Sequence, residues 1–268
     1  MMRNADQSEN RGRANSVFWC CLQTLLSRMA TLASLSCAPL LLIVALVCSP
    51  SADGAQPLPE SASFIDLTHA FDERTIYWPT EKGFQLDRGP AGETEQGYFY
   101  AANRFTSAEH GGTHIDAPYH FFRGGRTVDE IELNRLIGPG VCVDVSQKCA
   151  VDRDYLVAVE DFEQWEDQTG ESLADKIVLL RTGFGRRWPD RESYLGTTET
   201  GRVGAASLHF PGLDPTAAAW LATRRRIRAV GIDTASIDNG PSRDFASHVR
   251  LFSHGVPALE NVAVLDKL

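Results

Sequence analysis

One α/β domain, built on a mixed β-sheet with flanking helices, is the fold the sequence predicts for residues 64–268. Three observations carry that expectation. The short apolar runs VCVDV, KIVLLRTGF and IRAVGIDTAS read as buried strands. They alternate with helix-patterned stretches, EDFEQWEDQTG and DPTAAAWLATRRR. No internal repeat and no G-x-G-x-x-G fingerprint interrupts the alternation. With 268 residues, 43% of them hydrophobic, the chain can bury a sizeable core.

Residues 1–50 stand apart. A polar, basic beginning gives way to VFWCCLQTLL and then TLASLSCAPLLLIVALVC, followed by small residues. This order matches a secretory signal with a long leading region, the alternative being a signal anchor at 31–48. Either reading sends the chain into the secretory pathway, secreted or lumenal in one case and membrane-anchored in the other. Residues 51–63, rich in Ser, Ala and Pro, read as a linker. The first fifty residues hold four basic and two acidic side chains, which leaves 22 basic and 33 acidic and a net charge of −11 in the remainder. That balance argues against a nucleic-acid partner. Four of six cysteines lie in the leader, so no disulfide framework exists. Cys142 is expected as a buried thiol, although export would permit a pair with Cys149.

From Phe64 onward, FIDLTHAF reads as a first strand, YWP as a turn and GYFYAANRFTSAEH as extended chain. FFRGGRTVDEIELNRLIGPG reads as a loop with a short helix. In DPTAAAW, Asp214 is placed to cap a helix that has Pro215 at its first position. The triple arginine 224–226 ends that helix, where positive charge suits the dipole without a partner. The tail starts as a short helix at HVRLF and finishes extended.

The densest set of possible ligands is HGGTHIDAPYH, residues 110–120. Gly111, Gly112 and Pro118 exclude a continuous helix. In extended chain His114 and Asp116 share a face, and the glycines allow His110 to bend back towards them. Imidazole and carboxylate are the usual ligands of a borderline divalent ion, and three of them leave a position open for water. Glu260, in the apolar VPALENVAV, needs a cation or a donor as partner. His69 and His209 have structural readings, and His254 sits beside Gly255 in an exposed turn. Asp233, Ser236 and Asp238 read as a buried hydrogen-bond network behind the ligands.

HGGTHIDAPYH resembles the H-x-G-T-H-x-D-x-P-x-H signature of the metal-dependent cyclase-like hydrolase family, of the kynurenine formamidase and isatin hydrolase type. FIDLTHAFDERTIYWP, KIVLLRTGF, AVGIDTASID and HVRLFSHGVPALEN extend the similarity from about Phe64 to the C-terminus. The resemblance implies a swivelling β/β/α fold and a homodimer. It implies His110, His114 and Asp116 as ligands of a first metal, His248 and Glu260 as ligands of a second, and His120 as the general acid/base. It also puts Trp78 against the substrate ring, where a core position beside Pro79 is the other reading. The cofactor would be Zn2+ or Mn2+, one or two per chain. The implied activity is arylformamidase-like: hydrolysis of N-formyl-L-kynurenine to kynurenine and formate, a step of tryptophan catabolism. Ring opening of a cyclic amide such as isatin is the alternative, and a non-catalytic secreted metal-binding homologue is the rival. Family members continue past the glutamate segment with a further strand region, which this sequence is expected to lack.

Overall fold

The computed structural model describes residues 63–268. The leader and nearly all of the linker lie outside the described residues. Among the described residues no helix is long and apolar enough to cross a membrane.

The centre is a five-stranded sheet in the order β5-β11-β10-β8-β6. Its strands are β5 (His114–Asp116), β6 (Gly140–Asp144), β8 (Ile177–Arg181), β10 (Ala229–Ile232) and β11 (Ala258–Glu260). Strands β6, β8, β10 and β11 run parallel, and β5 closes one edge antiparallel to β11. Parallel strands need crossovers, and both sheet faces are consequently covered. Alternation divides the side chains: Val178 and Leu180 of β8 join the main core with Val143, Val230 and Ile232. Leu179 enters a smaller cluster on the other side with Val262 and Leu265, packed by Cys142 and Leu67. The mixed α/β domain expected from the sequence is the one observed.

Three helices matter for the site. Helix α1 (Val159–Thr169) connects β6 to β8 and buries Phe162. Helix α2 (Pro215–Trp220) is capped by Asp214, whose side chain accepts from the backbone N–H groups of Thr216 and Ala217, as expected. Helix α3 (Ala246–Phe252) links β10 to β11 and buries Ser247, His248, Leu251 and Phe252. A small parallel pair, β7 (Leu156–Val157) and β9 (Gly212–Leu213), lies apart from the main sheet.

Residues 85–106 form an arm of four short strands. β1 (Gln85–Asp87) pairs with β4 (Arg104–Thr106), and β2 (Ala91–Glu93) pairs with β3 (Phe99–Ala101), both antiparallel. All four strands are exposed along their whole length.

Two expectations need correction. FIDLTHAF is not a strand: Asp66 accepts from the backbone N–H and hydroxyl of Thr68, and this local turn competes with a ladder. The segment is tied down singly, through Leu67 O to Ala263 N and through His69 N to the Thr113 hydroxyl, and Phe64 is left 85% exposed. The arginine run does have a partner. Arg225 donates two bonds to Glu166 of α1, at 2.8 and 2.5 Å, and its guanidinium lies over the Trp220 ring. Cys142 and Cys149 are free thiols, half-buried and buried.

Candidate metal centre

The motif folds as its residue types dictate. Gly111 bridges to Tyr77, whose ring lies flat against it; a Cβ there would come within 2.1 Å of that ring. Gly112 takes a left-handed φ of 60°, and a Cβ on it would meet Phe71. This double constraint makes the bend that returns His110 to the cluster. β5 then carries His114 and Asp116, and Pro118 opens a 3-10 turn that ends at His120.

The antiparallel register sets Glu260 of β11 directly opposite His114, and Ala258 opposite Asp116. Asp116 Oδ1 lies 2.8 Å from His110 Nδ1 and 3.2 Å from His114 Nε2. His248 Nε2, from α3, sits 3.2 Å from Asp116 Oδ2 and 3.0 Å from Glu260 Oε1. Two clusters have ligand-type atoms all within 4.8 Å of one another: His110, Asp116 and His120, and His114, Asp116 and Glu260. Asp116 is common to both. All six residues singled out in the sequence thus meet at one place: His114 faces Glu260, and His120 lies beside His110, their rings stacked 3.8 Å apart.

The electrostatics ask for positive charge. Burial opposes the cationic form of His114, but the adjacent carboxylates of Asp116 and Glu260 outweigh it and lift its pKa to about 9. Burial likewise opposes charge on His248, and its bonds to Asp116, Asp238 and Glu260 nevertheless hold it well above the ordinary imidazole value. For Asp116, burial works against ionisation, and hydrogen bonds from His110, His114 and His248 pull its pKa far below the usual range. His120 differs. It is exposed at the cavity mouth, yet protein crowds it closely enough for desolvation to lower its pKa to about 4, against the attraction of Asp116.

Ring orientations are fixed from behind. His114 Nδ1 bonds Gly112 O at 2.9 Å, which turns Nε2 inward, where it is buried without a hydrogen-bond partner. His248 Nδ1 bonds Asp238 Oδ2 at 2.5 Å, and Asp238 also accepts from the backbone N–H groups of Ser247 and His248. Carboxylates and carbonyls behind imidazoles are the usual supports of metal-binding histidines. An orphaned buried imidazole nitrogen between buried carboxylates fits a divalent cation.

The cluster opens into a cavity of about 440 Å³ whose walls include Trp78, Phe121 and Phe245. Trp78 lies 6.0 Å from Phe245, and Phe121 4.7 Å from His248, between ring centroids. Sequence reasoning missed Phe121, Phe245 and Asn261; only the last carried a signal, as an amide beside Glu260 in an apolar run. Asp238 fulfils the expected supporting role. Asp233 instead holds the Thr182–Gly185 turn, accepting from the N–H groups of Thr182, Gly183 and Gly185. His69 stacks on Trp188, His209 pairs with Asp154, and His254 is exposed.

A mixed α/β sheet presenting such a donor set has the ligands that metal-assisted hydrolysis requires. The Cyclase family profile, described as "Putative cyclase", matches residues 65–239, and the chain belongs to that family. An isatin hydrolase of Roseibium aggregatum is 33% identical over 181 residues, 64% of this chain and just under two thirds (66%) of that protein. A kynurenine formamidase of Bacillus cytotoxicus is 28% identical over 210 residues, covering 77% of this chain and 85% of the relative. Among solved structures, isatin hydrolase A from Labrenzia aggregata bound to benzyl benzoate superimposes with a TM-score of 0.66 at 30% identity, covering 76% of this chain and 82% of that one.

Proposed function

We propose that the protein hydrolyses the C–N bond of an aryl amide, with an aryl formamide such as N-formyl-L-kynurenine as the substrate. The observation that carries this reading is the convergence of three imidazoles and two carboxylates, with His120 beside them, on a cavity with aromatic walls. His110, His114, Asp116, His248 and Glu260 would hold the divalent ion or ions, zinc or manganese. When bound, such an ion supplies an acidified water and a Lewis acid for the carbonyl under attack.

The chain's own groups do the rest. His120, with its pKa held low, is neutral at working pH and is free to take a proton at one ring nitrogen and give it to the departing aryl nitrogen. Its stacking on His110 keeps it beside the ligand cluster. Trp78, Phe121 and Phe245 offer flat apolar surface to the aryl group. Ring opening of a cyclic amide such as isatin is the second reading, favoured by the 33% identity to an isatin hydrolase.

The test is elemental analysis together with turnover of both substrates before and after chelation. Metal in the purified protein, loss of turnover on chelation and its return on adding metal are expected, with His114→Ala inactive and depleted of metal. A His114→Ala variant at wild-type rate would falsify the mechanism.

A further inference from the structure

The cavity contains a neutral donor that the ligand cluster does not use. Asn261 follows Glu260 and is only 2% exposed, yet it contributes to the cavity wall. It is fixed at three of its polar atoms. Its backbone N–H donates to Thr234 O at 2.9 Å, and its carbonyl accepts from the hydroxyl of Thr113, the neighbour of His114, at 2.6 Å. Its side-chain Oδ1 accepts from the Tyr194 hydroxyl at 2.9 Å. Asn261 also holds a left-handed φ of 53°, a conformation asparagine tolerates better than most residues.

This fixing decides which way the amide faces. The buried Tyr194 phenol has one proton and two acceptors in reach, and the Asn261 oxygen is nearer than Asp233 O at 3.2 Å. With Oδ1 thus engaged, Nδ2 is the end of the amide left for the cavity that Asn261 lines, and it makes no hydrogen bond among the described residues. An amide N–H without a protein acceptor is available to an acceptor that enters the cavity.

A hydrolysed amide also gains from a neutral donor at its carbonyl oxygen. When water adds to a carbonyl, negative charge develops on its oxygen, and the buried carboxylates of Asp116 and Glu260 accept hydrogen bonds without donating any. The Tyr77 hydroxyl is already paired with Ser107. A preorganised neutral N–H beside the ligand cluster meets this need without adding charge.

We propose that Asn261 Nδ2 donates to the carbonyl oxygen of the bound amide and strengthens that bond as the oxygen becomes negative, with Tyr194 as the positioning residue that fixes the amide's direction. This assignment rests on the amidohydrolase reading above. It makes Asn261 a catalytic residue outside the His/Asp/Glu set.

Asn261→Gly is the informative substitution, because glycine accepts the left-handed backbone and Tyr194 keeps the Asp233 carbonyl as an acceptor. Steady-state kinetics on an aryl formamide and on isatin, metal content and thermal unfolding would be measured for wild type, Asn261→Gly and Tyr194→Phe. Loss of an oxyanion donor lowers kcat by about 100-fold to 1,000-fold. For Asn261→Gly we expect that loss with KM within about threefold, because the contact forms mainly in the transition state. Metal content should equal wild type, and Tyr194→Phe should show a smaller fall in kcat with the same unchanged KM. Unchanged kcat in Asn261→Gly at full metal content overturns the assignment. A rise in KM alone overturns it too, since the amide then serves ground-state binding, and so does loss of metal, which makes the residue structural. If metal-loaded wild type cleaves neither substrate, the amidohydrolase reading itself fails and the assignment falls with it.

Discussion

Replacing Asp238 with alanine separates support of the site from the site itself. The Asp238 carboxylate is buried and spans two tasks: it accepts from Ser247 N and His248 N at 2.9 and 3.1 Å, and from His248 Nδ1 at 2.5 Å. The first pair acts as the missing cap of α3, because Phe245 at the helix start has no side chain to offer. Losing a cap costs about 1 kcal/mol, and losing a charged hydrogen bond to a buried imidazole costs about 2 kcal/mol. The sum, about 3 kcal/mol, corresponds to a fall in Tm of roughly 6–12 °C for a domain of this size. The third bond also fixes the proton on Nδ1 and keeps Nε2 towards Asp116 and Glu260, so metal affinity should drop by about 10-fold to 100-fold. Calorimetry of the metal-free protein reads the first effect, and titration against a chromogenic chelator reads the second. Asp238→Asn, which has one oxygen for two roles, should fall between alanine and wild type. An alanine variant that melts within a degree of wild type and binds metal equally well would refute the reasoning.

Other expectations concern the rest of the fold. Hydrogen bonds from Arg225 lower the Glu166 pKa despite some burial, so the pair's contribution is full above the ordinary carboxylate pKa and is lost as pH falls through the depressed value. Glu166→Gln should therefore destabilise by about 1–2 kcal/mol at pH 7, with the difference from wild type shrinking in acid denaturation series below pH ~4. Burial pushes the Cys142 and Cys149 thiols to about 11 and 12, so a thiol reagent at neutral pH should label neither in the native protein and both in denaturant. Homodimer formation, which the family resemblance implies, is expected to use the arm, where Phe99 and Phe105 are 64% and 70% exposed. Light scattering should give twice the chain mass for wild type and the single mass for a Phe99→Ser, Phe105→Ser double variant; a monomeric wild type would remove the idea.

What could be read from the sequence follows from where the determining forces act. β6, β8 and β10 were legible because strands covered on both faces concentrate apolar residues into unbroken runs. FIDLTHAF carries the same pattern and is not a strand, since the pattern says nothing of the Asp66–Thr68 turn that takes up its local donors. Residues 97–110 read only as extended chain and 85–96 carried no reading, because isolated ladders with exposed faces leave no burial signature. At the site, His110, His114, Asp116 and His120 were legible within one motif. Glu260 was legible because a carboxylate in an apolar run demands a partner. Phe121, Phe245 and Tyr194 look like ordinary core aromatics; Phe121 and Phe245 reach the cavity where α3 packs on the 118–120 turn, and Tyr194 reaches the site through its bond to Asn261. The pairing of His114 with Glu260 was equally hidden, being a matter of strand register.

That register has a topological consequence. The residues surrounding Asp116 come from both ends of a long excursion: His248 follows it by 132 positions, yet the two side chains touch. An ion held by both would staple the chain across that excursion much as a covalent cross-link does. Closing a loop of about a hundred residues removes roughly 4–5 kcal/mol of unfolded-state entropy in the simplest treatment. Chelation should accordingly lower resistance to proteolysis throughout 117–247, far from the ligands, and free metal concentration would set the lifetime of the folded enzyme as well as its rate.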